Sequence, residues 1–410
     1  MKIVQINNTY DYGSTGKITR DIHEYLLAQG YDSYVLYGRR QPSTSKYVVK
    51  TCTEFEAKAN NLISRVTGRP YAVSPVGTGK LIYELERLKP DVVHLQCING
   101  YFVNIYHLLS YLKKHHIPTV LTLHAEFMYT GNCGYAFECE NWKTGCVNCP
   151  SPRKAVGTRV LDQTHRNWED MREAFKGFEA LQICAVSDWV KERASQSPIL
   201  DGYDICTVFN GIDTDVFHYD KRSAEEVRNQ LNAIDKKIVL HVTANYQNPV
   251  KGGNYVTQLS QMLDPDKYVV VVIDGNGNPP PADFRGVYVG RAASQKQLAA
   301  YYSAADITVL TSKRETFSMI CAESLCCGTP VIGFKAGAPE RISIKDFSKF
   351  FEYGNIQQVL LGIQKVIAVE ETSKRKISLQ SIDKYSKEQM AKTYLHKYIH
   401  LVKELRSGTR

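Results

Sequence analysis

Long apolar runs and a secretory leader are both missing from this sequence of 410 residues. Its longest apolar stretches are short, such as residues 268–273, whereas a membrane-spanning helix needs about 20 apolar residues. The first residues, MKIVQINNTY, lack the longer apolar region and the small-residue cleavage site of a secretory signal. With 43% hydrophobic and 23% charged residues, the composition is that of a folded globular protein, and we expect it to be cytoplasmic.

A concentrated basic tract is also absent. The chain has 51 Lys and Arg against 42 Asp and Glu, a net charge of +9, and the excess is spread along its length. Proteins that bind nucleic acid usually gather their Lys and Arg on one face or arm. The charge pattern therefore predicts no nucleic-acid partner, and the mild basic bias is compatible with anionic ligands or an anionic membrane surface.

The eleven cysteines fall into two groups. Because no export signal is present, we expect no disulfide framework, and most of them are scattered in apolar surroundings. The other four, Cys133, Cys139, Cys146 and Cys149, follow the spacing C-x5-C-x6-C-x2-C. Four thiolates suit tetrahedral zinc, so we predict a structural zinc ion in this loop. Four reduced cysteines that pack the loop are the alternative.

Short apolar runs alternate with helical patterns through most of the chain, which is typical of parallel sheets built from βα units. The segment 210–222 interrupts this alternation and is interpreted as a linker. We therefore predict an α/β protein with two doubly wound, Rossmann-like domains, 1–209 and 210–385, that face each other across a cleft. A last helical segment, 386–410, is expected to return to the first domain.

The segment 311–341 carries the most specific chemistry. Glu315 and Glu323 are eight residues apart, and the pattern predicts a helix from about Ser318 to Cys327. The free N–H groups at the start of such a helix form an anion site, and the two carboxylates can accept hydrogen bonds from hydroxyl groups. A nucleotide-diphosphate sugar has the phosphates and hydroxyls that match this set.

Three other segments add to this prediction. Lys251 lies between a strand and a helix, where a cation can contact phosphate. Gly13 and Gly16 are expected to precede the first helix, whose N–H groups could face a phosphate. His124 closes a buried strand and is expected to face the cleft.

The segment 311–341 resembles the E-x7-E motif of the retaining family 4 glycosyltransferases, which have the GT-B fold. The matching residues are Glu315, Phe317, Glu323, Gly328, Pro330, Val331, Ile332, Gly337 and Glu340. The sequence departs from the pattern at Ser318, where Gly is usual, and at Ser324, where Ala is usual. The cysteine cluster is similar to one in a bacterial subgroup of these enzymes that resembles the colanic acid galactosyltransferase.

The resemblance implies a role for each candidate residue. Glu323 would bind the ribose hydroxyls of the donor, and Glu315 and His124 would lie near the donor sugar. Lys251 would neutralise the leaving diphosphate. The donor would also contact Gly16, Asn245, Phe317, Ser318 and Met319. Asn245 stands where the family has Arg, so either Arg291 or Arg314 replaces that cation or the diphosphate is held less tightly.

Taken together, the resemblance implies a retaining glycosyltransferase that moves a hexose from a nucleotide-diphosphate sugar, with a UDP-sugar favoured. The acceptor would be a polyprenyl-diphosphate-linked saccharide in bacterial surface polysaccharide assembly (O-antigen, capsule or exopolysaccharide), with no catalytic metal. Peripheral contact with the inner face of the cytoplasmic membrane is compatible with this. The amphipathic segment 101–116 could make such contact, but we interpret it as a helix that covers the sheet. A sugar-nucleotide epimerase of the same fold and a zinc-containing nucleic-acid-binding protein are the alternatives.

Overall fold

A computed structural model describes residues 1–158, 161–365 and 370–408 of the chain. The chain divides into two compact units, one formed by Met1–Phe209 with Met390–Arg410 and the other by Asn210–Gln389. Each unit contains one parallel sheet flanked by helices. Residues 366–369 of the expected domain 210–385 and residues 409–410 of the expected last segment 386–410 lie outside the described residues.

The sheet of the first unit has seven strands in the described residues, in the order β3-β2-β1-β4-β5-β6-β7, and all neighbouring pairs are parallel. Its strands are almost continuously apolar because helices cover both faces. The strands are β1 (Lys2–Asn7), β2 (Asp32–Tyr37), β3 (Val48–Lys50), β4 (Val92–Leu95), β5 (Thr119–Leu123), β6 (Leu181–Ala185) and β7 (Ile205–Thr207).

The helices of the first unit lie between these strands along the chain. Several begin with a side-chain cap, such as Asn104, whose side chain accepts from the N–H of His107 at 3.0 Å. The helices are α1 (Gly13–Ala28), α2 (Glu54–Thr67), α3 (Pro75–Leu88), α4 (Ile105–Lys114), α5 (Phe127–Thr130), α6 (Pro152–Ala155), α7 (Thr164–Phe175) and α8 (Asp188–Ala194).

The second unit repeats the architecture with six described strands in the order β10-β9-β8-β11-β12-β13. Its core packs Val239, Val272, Val309 and Ile332 of the sheet against Val359 of a covering helix. The strands are β8 (Lys237–Thr243), β9 (Tyr268–Asp274), β10 (Val287–Gly290), β11 (Ile307–Leu310), β12 (Val331–Phe334) and β13 (Lys349–Phe351).

The remaining helices belong to the second unit, except that the last of them belongs to the first unit from Met390 onward. They are α9 (Lys221–Gln230), α10 (Gly253–Met262), α11 (Gln295–Ala304), α12 (Met319–Cys326), α13 (Pro339–Ile342), α14 (Ile356–Lys365), α15 (Glu371–Tyr385) and α16 (Lys387–Ser407). None of the helices in the described ranges combines the length and the hydropathy that a membrane span requires.

The strand orders fix where a ligand can bind in each unit. The direction of winding reverses between β1 and β4 in the first sheet and between β8 and β11 in the second. In doubly wound sheets, ligands bind at this switch point, beyond the carboxyl ends of the strands. The loops that follow β8 and β11 carry Lys251 and Glu315, so the second unit presents its predicted charged residues at its switch point.

Candidate active site

Lys251 and Glu315 form an ion pair at the switch point of the second unit. The Lys251 Nζ lies 2.7 Å from the Glu315 Oε1, although the two residues are 64 positions apart in the sequence. Their side chains are 23% and 11% exposed, so the pair is partly shielded from water. A cation and a carboxylate are thus held side by side at the edge where a ligand of this sheet would bind.

Two glycines allow the Lys251 loop to approach the rest of the unit closely. Gly252 has φ +70°, and a Cβ there would lie 2.3 Å from the Thr311 carbonyl oxygen. A Cβ at Gly253 would lie 2.3 Å from the carbonyl oxygen of Tyr246. The Thr311 hydroxyl also donates to the Lys251 carbonyl at 2.9 Å. The sequence Lys-Gly-Gly is therefore what lets the lysine loop pack against the loop that carries Glu315.

The backbone of Glu315 is fixed by the segment that follows β12. Its N–H donates to the Ala336 carbonyl at 2.9 Å, and its own carbonyl accepts from the Ala338 N–H at 3.2 Å. The carboxylate of Glu340 in turn accepts from the N–H groups of Ala336 and Gly337 at 3.0–3.1 Å. Glu340, the last residue of the resemblance motif, thus supports the loop that positions Glu315.

The helix predicted at 318–327 is present as α12, and Ser318 caps it. The Ser318 hydroxyl accepts from the Cys321 N–H at 3.3 Å, and its backbone has φ +77°. That conformation explains why a glycine is usual at this position of the motif. Phe317 is buried and packs edge-to-face on Tyr385 at 5.9 Å, so its side chain anchors the turn. Met319 opens the helix, where backbone N–H groups can face an anion.

Glu323 lies half-buried on α12 and accepts a hydrogen bond from a buried tyrosine. The Tyr302 hydroxyl lies 3.3 Å from the Glu323 Oε2, and the Tyr302 side chain is fully buried. Burial, and then the negative charge of Glu323, raise the pKa of Tyr302 well above its usual value, so the tyrosine stays a hydrogen-bond donor. Ser324 faces the sheet instead, where its hydroxyl donates to Thr308 at 2.7 Å.

Asn245 shapes the loop after β8 with its side chain. The Asn245 Oδ1 accepts from the Gln247 N–H at 3.0 Å, which is an Asx turn. Of the two arginines expected to replace the missing cation, Arg291 is exposed just after β10, and Arg314 is half-buried beside Glu315. Arg314 is therefore the one that the fold holds in the loop of the ion pair.

The first unit contains Gly16 and His124. The expectation that Gly16 precedes the first helix is wrong, because α1 begins at Gly13 and Gly16 lies inside it. A Cβ on Gly16 would lie 2.8 Å from the Thr9 hydroxyl, so glycine is needed there for close packing of helix and loop. His124 lies at the carboxyl end of β5 as expected and is half-buried.

A chain of side-chain amides fixes the proton on His124. The Gln5 amide donates to the Thr19 carbonyl, so its oxygen accepts from the Gln96 amide at 3.2 Å. The Gln96 oxygen then accepts from the His124 Nε2 at 2.7 Å. Burial lowers the pKa of His124 to about 4, so the ring is neutral at pH 7. Its proton is on Nε2, and Nδ1 is an acceptor.

The loop 131–150 holds the four clustered cysteines as free thiols. Burial, and then the neighbouring thiols, raise the pKa of Cys133, and burial raises the pKa of Cys146 to about 12. Across the described ranges, no three or more His, Cys, Asp or Glu side chains are arranged to hold a metal ion. The residues as placed do not form a zinc site, so the zinc prediction gains no support from the structure.

Three residues of these sites were not predicted from the sequence. They are Tyr302 behind Glu323, Gln96 behind His124, and Asp274, whose buried carboxylate accepts from the N–H groups of Tyr246 and Asn276 at 2.6 Å. Asp274 and Gln96 directly follow or end a strand, which is the one sequence signal that could have drawn attention to them. Tyr302 lies inside a helix and carries no such signal.

The sequence and the fold were compared with those of known proteins. A family model described as Glycosyltransferase Family 4 matches residues 15–216, and one described as Glycosyl transferases group 1 matches residues 285–381. The colanic acid biosynthesis glycosyl transferase WcaC of Escherichia coli is 23% identical, over 98% of this chain and all of the relative.

Solved structures agree on the fold. Sucrose-phosphate synthase from Thermosynechococcus elongatus has a TM-score of 0.68 at 15% identity, covering 98% of this chain and 99% of that one. HepE from Anabaena, in complex with UDP-glucose, has a TM-score of 0.63 at 14% identity, covering 99% of this chain and 100% of that one.

These matches and the two parallel sheets define a glycosyltransferase of the GT-B fold. Because the two family models together cover nearly three quarters of the chain, this protein belongs to the group 1, or family 4, glycosyltransferases. It is a homologue of the colanic acid biosynthesis glycosyltransferase along its whole length.

Proposed function

We propose that the protein is a retaining hexosyltransferase that takes its sugar from a nucleotide-diphosphate donor, with UDP as the favoured nucleotide. The observation that carries the proposal is the pairing of Lys251 with Glu315 at the switch point, next to the start of α12. Support for the donor class comes from the structural relative HepE, which was solved with UDP and with UDP-glucose.

The proposed chemistry assigns each group a separate task. Lys251 and the N–H groups at the start of α12 stabilise the charge that develops on the leaving diphosphate. Glu323 accepts hydrogen bonds from the ribose hydroxyls, while Glu315 and the Nδ1 of His124 accept from hydroxyls of the donor sugar. The sugar is transferred on the face that the diphosphate leaves, and the leaving phosphate helps to deprotonate the acceptor hydroxyl.

We propose a lipid-linked saccharide as the acceptor, in the assembly of a bacterial surface polysaccharide such as O-antigen, capsule or exopolysaccharide. Support for this class comes from the homology to the colanic acid biosynthesis enzyme. Such an acceptor would place the enzyme in the cytoplasm, at the inner face of the cytoplasmic membrane. The comparisons favour neither the epimerase nor the nucleic-acid-binding alternative.

Substitution of Lys251 tests its proposed role in stabilising the leaving diphosphate. Lys251→Ala should lower kcat by ~100–1000-fold, because one donor that stabilises the transition-state charge is lost. The matched control is Lys335→Ala, which removes a half-exposed lysine of the same unit that pairs with Glu352. Turnover close to wild type in Lys251→Ala, with the fold intact by circular dichroism, would refute the role of Lys251.

Donor identity can be measured without knowing the acceptor. UDP-, GDP- and ADP-sugars are added in a thermal-shift assay, in which a ligand at 100 Kd should stabilise the protein by ~2.7 kcal/mol. We expect UDP-sugars to give the largest shift. Incubation with the donor alone then separates the two enzyme classes, since an epimerase would isomerise the donor and a transferase would leave the sugar configuration unchanged.

A structural zinc ion in the cysteine loop is a separate proposal, supported by the spacing of Cys133, Cys139, Cys146 and Cys149 alone. The measurement is zinc release when the protein is unfolded with a thiol reagent. About one zinc per chain would support the proposal. A stoichiometry near zero would establish four reduced cysteines that pack the loop.

A further inference from the structure

Helix α2 presents its large apolar side chains to solvent. Phe55 is 84% exposed, Leu62 65%, Val66 62% and Ile63 42%. A surface helix normally turns its apolar stripe toward the core and its polar residues outward. This helix does the opposite, so burial within its own unit does not account for these four side chains.

The buried side of α2 shows the same inversion. The residues that it buries are Ala57, Asn60 and Ser64, which are small or polar. Phe55, Leu62 and Val66 are separated by seven and four positions and therefore form one line along the opposite side of the helix. A contiguous exposed apolar stripe of this kind marks a surface that contacts a partner or a membrane.

The two charged residues of α2 that are exposed are both positive. Lys58 and Arg65 are exposed, seven positions apart, and lie along one flank of the stripe. The two acidic residues of the helix are engaged with the protein. Glu54 pairs with Arg39 at 2.9 Å, and Glu56 accepts from the N–H of Gly77 at 2.7 Å.

We propose that α2 docks on an anionic membrane surface. Phe55, Leu62 and Val66 enter the boundary between headgroups and acyl chains, and Lys58 and Arg65 contact the lipid phosphates. Apolar side chains on one side and cations on the flank are the features of a helix that lies in the membrane interface. Leu161, 48% exposed and close to Gly68 at the end of α2, extends the apolar surface.

The size of the stripe favours a membrane over a second copy of the chain. A stable protein interface buries about 800 Å² on each partner and about 20–30 residues a side. The stripe on α2 has four apolar side chains on a helix of 14 residues. Insertion into a lipid surface needs only such a narrow, convex line of side chains.

The experiment measures binding of the full chain to vesicles by sedimentation. Vesicles of phosphatidylglycerol and phosphatidylethanolamine are compared with vesicles of phosphatidylcholine. We expect binding to the anionic vesicles, lost by ~10-fold or more in the double variant Phe55→Ser/Leu62→Ser. The double variant Lys58→Glu/Arg65→Glu should lose a similar factor on anionic vesicles, and added salt should weaken wild-type binding.

The matched control is Leu379→Ser, which removes a leucine of α15 that is 69% exposed on the other unit. It should bind vesicles as the wild type does. Equal vesicle binding by wild type and Phe55→Ser/Leu62→Ser would overturn the proposal, and so would a wild-type dimer that this variant converts to a monomer. Vesicle binding needs neither donor nor acceptor, so its outcome is independent of the proposed transferase activity.

Discussion

Glu323 acts with a residue that its motif does not contain. The Tyr302 hydroxyl is the donor that the structure aims at the Glu323 carboxylate, from a helix 21 positions earlier in the chain. A carboxylate that must accept from ribose hydroxyls works best when its orientation is fixed before the ligand binds. Tyr302 is therefore a positioning residue for Glu323 in the proposed donor site.

Tyr302→Phe tests this positioning at the scale of one hydroxyl group. The variant keeps the ring in the core and removes the hydroxyl that donates to Glu323, so we expect the KM for the nucleotide-sugar donor to rise by ~3–10-fold, about the value of one ordinary hydrogen bond. kcat should change less, because the lost contact acts on the nucleotide rather than on the reacting bond.

The neighbouring tyrosine provides the control for that measurement. Tyr301→Phe removes a hydroxyl from the same helix, α11, and should leave the KM for the donor unchanged. If Tyr302→Phe lowers thermal stability but leaves KM at the wild-type value, the hydroxyl has a structural role only.

At the scale of the element, the start of α12 combines two opposing local effects. Ser318 caps the helix through its hydroxyl, but its φ of +77° is unfavourable for a residue with a Cβ. Replacing a serine cap by glycine costs only a few tenths of a kcal/mol, and relieving a left-handed conformation gains about 1 kcal/mol. The motif of the family, with glycine here, is consistent with that balance.

We therefore expect Ser318→Gly to raise the free energy of unfolding by ~0.5 kcal/mol and Ser318→Ala to lower it by ~1 kcal/mol. Alanine keeps the strain and loses the cap, so the two variants should move in opposite directions. Urea denaturation of both against wild type measures the difference. Destabilisation by both would show that the hydroxyl, rather than the backbone conformation, dominates at this position.

The strands were the elements most fully predictable from the sequence. Because parallel strands are buried on both faces, they form continuous apolar runs, and these runs predicted the parallel sheets that the two units contain. The edge strand β3 has only three residues, too few to form a recognisable apolar run. Helix α2 has no apolar stripe toward the core that a sequence pattern could show, since its large apolar side chains face solvent. The first residues of α9 fall in the segment 210–222, which was interpreted as a linker.

The candidate site was predictable only where charge and spacing lie close together in the chain. Glu315, Glu323 and the helix between them belong to one short segment, and α12 confirms that helix. The pairing of Lys251 with Glu315 depends on the register of β8 and β11, and the support of His124 by Gln96 depends on that of β4 and β5. Such contacts arise from tertiary packing, which no local pattern encodes.

At the scale of the whole molecule, buried histidines make the fold sensitive to acid. Burial lowers the pKa of His23, His124 and His241 to about 4 in each case, and it lowers the pKa of His94 well below its usual value. In the unfolded chain these residues titrate near pH 6.5. Between pH 6.5 and about 4 the unfolded state therefore binds more protons than the native state.

The free energy of unfolding should consequently be highest above pH 6.5 and fall as the pH drops toward 4. Each of the four histidines should contribute up to about 1.4 kcal/mol per pH unit to that slope, about half of it at pH 6.5 and little above pH 7.5. Urea denaturation at several pH values from 7.5 to 5 measures it. In this range carboxyl groups with ordinary pKa values are almost fully ionised in both states and add little to the slope.

One variant measures how much a single histidine, His23, contributes to the pH dependence of the free energy of unfolding. The His23 Nδ1 and the Ser33 hydroxyl share a hydrogen bond of 2.8 Å. The variant His23→Asn keeps a polar side chain at this position, but one that does not titrate. The variant can be less stable at every pH because it fills less of the core, so the comparison rests on the slope alone. We expect the slope of the free energy of unfolding against pH to fall by the contribution of one proton, because the buried His23 ring, which stays unprotonated in the native state, is then absent. An unchanged slope would mean that His23 is protonated equally in both states, and therefore that its ring is hydrated in the native protein.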